Sequence, residues 1–162
     1  MSVSKILVVL IASFGIATGA LAASKSRELS VDGNYIIIDS QSASLLNASL
    51  GQFVTPQFVV VTALSTQQSF VISSTSISLG GKFYFMDGFK GDLVPFAGLG
   101  IGLRMAATAT DSNHGSTQYD VNAGVAYFLS DSTTLDAKLK LLNFNDSSPS
   151  ITYLSAGFSQ RF

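Results

Sequence analysis

The chain alternates polar and apolar residues with a period of two over several long stretches. From Ser74 to Phe85 one parity reads Ser74, Ser76, Ser78, Gly80, Lys82, Tyr84 and the other Thr75, Ile77, Leu79, Gly81, Phe83, Phe85. Successive side chains of a strand point to opposite faces, so one face here is small or polar and the other apolar. Asp120, Asn122, Gly124 and Ala126 alternate in the same way with Tyr119, Val121, Ala123, Val125 and Tyr127. Asp136, Lys138 and Lys140 alternate with Leu135, Ala137, Leu139 and Leu141, and Ser155, Gly157, Ser159 and Arg161 with Leu154, Ala156, Phe158 and Phe162. Gln160 is the one polar interruption on the apolar side of that last segment.

Leu93 to Ala106 adds a strand with Val94, Phe96, Gly98, Gly100, Gly102 and Arg104 on one face and large apolar residues on the other. Three glycines in register strip side chains from that face, as a narrow barrel interior requires. The first third predicts strands near Leu29 to Ile38, Ala43 to Phe53 and Gln57 to Ser65, although Ile36-Ile37-Ile38 and Val59-Val60-Val61 hide the alternation. Turn-forming clusters separate the segments: Thr55-Pro56-Gln57, Met86-Asp87-Gly88, Asp111 to Gly115, Ser130-Asp131-Ser132 and Asn145 to Pro149. The count is eight strands of roughly 10 to 14 residues, an even number.

The first residues follow another rule. Lys5, the apolar run Ile6 to Ile16 and the small-x-small site Ala20-Leu21-Ala22 read as a signal peptide over residues 1–22, because eleven apolar residues fall short of the roughly 20 that span a bilayer as a helix. Residues 23–162 then form one domain, in which no segment is long and apolar enough for a transmembrane helix.

Composition sharpens the choice of architecture. Apolar residues make up 47% and charged residues only 12% of 162, against about 25% charged in ordinary soluble domains. Nine Lys and Arg face ten Asp and Glu, which leaves no basic field for nucleic acid. No cysteine is present, excluding disulfide scaffolds and thiolate metal sites. Eight alternating strands fit either a soluble sandwich or lipocalin-like barrel, apolar inside, or a membrane barrel, apolar outside. In the soluble case the polar parity would be rich in Lys and Glu; it is instead mostly Ser, Gly, Asn and Asp, and the only Glu, Glu28, is read as preceding the strands.

The sequence therefore predicts an all-β fold, an eight-stranded antiparallel up-and-down transmembrane β-barrel. Its interior is expected to hold a polar network of Asp32, Lys82, Arg104, Asp120, Asp136, Lys138 and Lys140, paired in a ring. Arg161 shares that parity but is read as solvated near a strand end. Phe83, Phe85, Tyr127, Phe158 and Phe162 fall toward one rim and Tyr35 and Tyr119 toward the other, as in two aromatic girdles at lipid interfaces.

At this level of detail the chain resembles the small eight-stranded outer-membrane β-barrel proteins of Gram-negative bacteria, the OmpA/OmpX/OmpW-like group. The resemblance rests on the order of Gly81-Lys82-Phe83-Tyr84-Phe85, Val94 to Gly102, Asn122 to Asp131 and Gly157-Phe158-Ser159-Gln160-Arg161-Phe162. It implies export followed by insertion into the outer membrane, with Gly157, Phe158 and Phe162 as a barrel-assembly signal from which Gln160 departs. Outer-membrane lipid and lipopolysaccharide, the barrel-assembly machinery and periplasmic chaperones are the implied partners of a monomer. No peptidoglycan-binding domain is expected after Phe162.

Catalytic chemistry has little to stand on. Lipid-A-modifying barrels depend on a histidine; His114, the only one, is predicted in a solvated loop with no assurance of an oriented nucleophile. Gly98-Leu99-Gly100-Ile101-Gly102 lacks the helix that a dinucleotide fingerprint needs. The sequons at Asn47 and Asn145 carry little weight in a bacterial protein, and no metal-ligand spacing exists. The expectation is a non-enzymatic protein without catalytic, cofactor-binding or metal sites, with an envelope-structural or surface-interaction role and a lumen filled by side chains. The predicted outer loops, Asp39 to Ser42, Thr66 to Ser69, Thr108 to Gly115 and Asn145 to Pro149, are short for an adhesin. The alternatives are a narrow OmpW-like conduit for small molecules and a secreted soluble β-barrel binder.

Overall fold

The computed structural model describes residues 27–38, 41–69, 72–86, 92–108, 114–145 and 150–162. The proposed signal peptide, residues 1–22, lies outside them. Eight strands follow one another: β1 (Arg27–Ile38), β2 (Gln41–Phe53), β3 (Phe58–Ser69), β4 (Ile72–Tyr84), β5 (Leu93–Thr108), β6 (His114–Ser130), β7 (Thr133–Phe144) and β8 (Ile151–Arg161). Each pairs antiparallel with its neighbours in sequence, and β1 pairs with β8 to close the barrel. Reciprocal backbone bonds between Arg27 and Phe162, at 3.1 and 3.0 Å, finish that seam at the end bearing both termini. Closure leaves no sheet edge for another chain to pair with along the closed seams.

Register fixes the barrel's shape. Followed from Gly33 through Leu46, Thr66 and Thr75, pairing reaches Met105. Followed the other way, through Ala156, Ala137 and Val125, it reaches Pro95. Both residues lie on β5, so the stagger around the barrel is 105 − 95 = 10 residues. With residues about 3.3 Å apart along a strand and strands about 4.8 Å apart, this stagger tilts the strands by roughly 40°. Eight strands at that tilt enclose a lumen that side chains can fill.

Burial is inverted relative to a soluble barrel. Among the described residues, the buried set is mostly polar, including Ser30, Asn47, Ser65, Ser74, Ser76, Ser78, Gln118, Ser155 and Ser159. Large apolar side chains cover the outside: Leu99 and Leu154 are 68% exposed and Leu103 65%. On β7, buried Thr134, Asp136, Lys140 and Leu142 alternate with exposed Leu135, Ala137, Leu139 and Leu141. The expected parity of all five alternating segments is the observed one. At the end bearing the termini, Phe58, Phe83, Phe85, Tyr127, Phe158 and Phe162 form an exposed aromatic rim, with Phe83 and Phe85 edge to face at 5.2 Å. Tyr119 points outward on the other half; the side chain of Tyr35 lies outside the description.

The structure moves several expected boundaries. Thr66 to Ser69 belongs to β3 instead of to a loop, lying opposite Leu46 to Ala43 on β2, with Thr66 to Gln68 also opposite Thr75 to Ser73 on β4. His114 begins β6, with its backbone opposite Ala106, so it is a strand-end residue and not a mid-loop one. Glu28 lies inside β1 opposite Gly51 and Arg161. In each case the strand runs on past the last clear apolar alternation, because in a barrel the ladder is set by neighbouring strands and not by local pattern.

Candidate functional site

The lumen is organised in three layers along the barrel axis. At the end bearing the termini, Val59, Tyr84, Val94, Phe96 and Ala126 form a buried apolar cluster, with Phe53, Val61, Met86 and Phe128 packed against it. At the opposite end Leu45, Leu142 and Tyr153 form a second cluster, joined by Phe144 and Ile151. Most of the ionised groups sit between these two plugs or on their margins. The plugs explain why the first third lacks clean alternation: Val59 and Val61 face inward, so apolar residues occupy both parities of β3 there.

Glu28, inside β1 and not before the strands, is the centre of the strongest polar cluster. It is 2% exposed. Its Oε1 accepts from Lys82 Nζ at 2.5 Å and from Ser30 Oγ at 3.3 Å, and its Oε2 accepts from Tyr84 Oη at 2.8 Å and from Arg161 Nε at 3.3 Å. One carboxylate thus holds two cations from β4 and β8 against β1, a multidentate charge-assisted arrangement. The expectation that Arg161 is solvated is corrected here. Its guanidinium lies over the rings of Phe53, Tyr84 and Phe128 at 4.7 to 5.0 Å, and Lys82 lies over Tyr84 and Phe96. The cations are thereby built into the aromatic plug, where ring faces replace water around them.

The other charges form separate groups. Asp32 Oδ1 accepts from Lys138 Nζ at 2.7 Å and from Asn47 Nδ2 at 2.8 Å, while Asn47 Oδ1 accepts from Ser65 Oγ at 2.7 Å. Lys140 Nζ lies 3.6 Å from Asp120 Oδ1. Asp136 Oδ2 accepts from Ser159 Oγ at 3.3 Å. Arg104 is buried in the other half of the lumen with its guanidinium 4.2 Å above the ring of Phe144. All seven residues of the anticipated network therefore point inward, but the described contacts form clusters in place of one ring, because the tilted register sets the charges at different heights. Inward parity in β1 was the signal that could have found Glu28: it is two residues before Ser30 and four before Asp32.

The inward glycines of β5 have steric reasons. A Cβ on Gly100 would come 2.7 Å from Asp120 Oδ2, one on Gly98 2.9 Å from Asn122 Oδ1, and one on Gly102 would collide with the carbonyl oxygen of Ile77. The proposed assembly-signal residues separate by face: Phe158 and Phe162 are exposed on the outside, while Gly157 lies in the lumen between Asp32 and Asp136. Gln160 finds its own partner, accepting from Thr133 Oγ1 at 3.0 Å on the neighbouring strand. Among the described residues no group of three or more His, Asp or Glu is placed to hold a metal ion. The side chain of His114 lies outside the description.

No protein-family model matches the chain, and no curated protein matches it in sequence. Solved structures do match in shape. The N-terminal β-barrel domain of Pseudomonas aeruginosa OprF has a TM-score of 0.68 at 18% identity, covering 87% of this chain and 100% of that one. Neisserial surface protein A has a TM-score of 0.69 at 16% identity, covering 88% and 100%. Yersinia pestis Ail in a phospholipid nanodisc has a TM-score of 0.56 at 13% identity, covering 86% and 100%. With its closed eight-strand antiparallel architecture, the chain has the fold of the small eight-stranded outer-membrane β-barrels.

Proposed function

We propose that this is a non-enzymatic integral protein of the outer membrane of a Gram-negative bacterium, with an envelope-structural or surface-interaction role and no aqueous pore. The observation that carries the reading is the pairing of an apolar outside with a side-chain-filled lumen that has a buried apolar cluster toward each end. So large a continuous exposed apolar surface is foreign to soluble monomers, and the apolar clusters on either side of the polar middle oppose ion flow through it. Similar shape to outer-membrane barrels supports the location.

On this reading residues 1–22 direct export, and chaperones and the assembly machinery deliver the barrel through its Phe162-terminated last strand. Lipid and lipopolysaccharide then surround a monomer. Fractionation of cells with gels run on boiled and unboiled samples tests it. The protein is expected in outer-membrane fractions with a heat-dependent mobility shift; recovery in the periplasm without detergent and without a shift would overturn it. Planar-bilayer recordings should show no conductance steps, and regular steps would favour the conduit reading instead.

A further inference from the structure

The seam that closes the barrel is the least complete of its seams. The β1–β8 ladder runs from Glu28 opposite Arg161 to Gly33 opposite Ala156 and stops there. Yet β1 goes on, paired with β2 as far as Ile38 opposite Gln41, and β8 is paired with β7 from Ile151 opposite Leu142. Continued in the same register, Asn34 would stand opposite Ser155, Tyr35 opposite Leu154 and Ile38 opposite Ile151. Residues 34–38 and 151–155 are therefore in line to pair, and the two strands end on the same row.

Asn34 occupies the first acceptor of that unpaired half. Antiparallel residues alternate between pairs that exchange backbone hydrogen bonds and pairs that do not. Arg27 and Phe162 exchange both bonds, so the same class recurs at every second residue, through Val31 and Phe158 to Tyr35 and Leu154. In a continued ladder the carbonyl of Leu154 would accept from the backbone N–H of Tyr35. It accepts instead from Nδ2 of Asn34 at 2.9 Å. The hydroxyl of Ser155 is buried with no hydrogen-bond partner, although a continued ladder would bring Asn34 beside it.

We propose that Asn34 is a wedge in the barrel wall. Its side chain takes the acceptor of Tyr35 and holds the half of the seam away from the termini parted, and the seam zips shut when that bond is given up. Gly33 sits at the fork, where a residue without Cβ lets the strand change direction. Release exchanges one side-chain bond for the backbone bonds of the Tyr35–Leu154 and Ile37–Thr152 rows, and gives Ser155 Oγ the Asn34 amide as a partner. Unpaired backbone groups facing hydrocarbon are costly, so one side chain sets the balance between the two arrangements. The cluster of Leu45, Leu142 and Tyr153 comes from β2, β7 and β8, so the gap backs on apolar side chains. The inference rests on the β1–β8 ladder and not on the cellular location.

Disulfide formation in the protein refolded into phospholipid vesicles tests it, since the chain has no cysteine of its own. Val31→Cys with Phe158→Cys puts a pair in the zipped half. Tyr35→Cys with Leu154→Cys puts a pair of the same hydrogen-bonding class in the parted half. Once its row is paired, each has a Cα separation of about 5.5 Å, within disulfide reach. A pair that meets only in the minor arrangement reacts in proportion to its population, so the 35–154 bond should form at least about tenfold more slowly than the 31–158 bond. Adding Asn34→Ala should bring the two rates within about threefold of each other. Asn34→Val, which also lacks a donor, should do the same and serves if the alanine variant folds poorly. Equal rates with Asn34 in place, or a 35–154 rate that both substitutions leave unchanged or lower, would overturn the wedge. If the 31–158 bond itself fails to form, the β1–β8 seam is refuted and the wedge with it.

Discussion

Removing the charge of Glu28 is the sharpest perturbation of the terminal-side plug. Glu28→Gln keeps the shape of the side chain and one acceptor oxygen, but it strands Lys82 and Arg161, whose side chains are only 15% and 14% exposed. Breaking a buried ion pair from one side costs about 3–5 kcal/mol, because the remaining charge is left without compensation. The ring faces around both cations and their residual exposure argue for the low end, about 3 kcal/mol. At about 1.4 kcal/mol per tenfold, that weakens the folding equilibrium by roughly a hundredfold. Lys82→Met alone should cost less, since Arg161, Tyr84 and Ser30 still satisfy the carboxylate. The double variant should then cost at least about 1 kcal/mol less than the two single losses together, as expected of residues that share one interaction. Urea unfolding in lipid vesicles, followed by the fraction that keeps folded mobility on unboiled gels, measures all three. An unchanged midpoint for Glu28→Gln, or strict additivity of the pair, would refute Glu28 as the hub.

Three further outcomes follow from other parts of the barrel. Leu99→Arg, on the most exposed part of the apolar band, should destabilise the protein by about 2–4 kcal/mol in vesicles, the cost of a cation near the bilayer midplane; a neutral effect would place Leu99 in water. Gly102→Val drives a side chain against the carbonyl oxygen of Ile77 and Cβ of Ser78, and overpacking of this kind costs about 1–3 kcal/mol or more, so the heat-modifiable folded fraction after refolding should fall. Phe58 covers the outward Gly81, with its ring edge 2.9 Å from where a Cβ would stand; Phe58→Ala should cost up to about 1 kcal/mol, the range of a cross-strand pair, with part regained in Phe58→Ala combined with Gly81→Ala. Equal stability of the single and double variants would sink that reading of the pair.

The architecture was legible because lipid on one side and a narrow polar lumen on the other impose period two on every strand, and Ser74 to Phe85 or Asp120 to Tyr127 carry it almost without exception. What the pattern could not show is where the lumen stops being polar. Val59, Tyr84, Phe96 and Tyr153 are inward like the serines, and only three-dimensional neighbours reveal that they gather into apolar clusters. The hub was missed for a related reason. Glu28 stands at the start of β1 beside Arg27, where a charge looks solvated in one dimension; its partners are 54 and 133 residues away. Pairing among Asp32, Asp120, Lys138 and Lys140 depends on the ten-residue stagger, which no single strand encodes.

The central claim is that the apolar parity meets lipid. The chain has no cysteine, so single cysteines at Leu99, Leu103, Leu139 and Leu154 can each carry a nitroxide label in lipid vesicles, with Asp131 in the turn between β6 and β7 as the aqueous reference. The most direct measurement compares relaxation of each label by dissolved oxygen, which concentrates in hydrocarbon, with relaxation by a water-soluble nickel chelate. Oxygen should dominate at all four outward positions and nickel at residue 131. Nickel dominating at the four leucine positions would contradict the membrane barrel and return the chain to the soluble class.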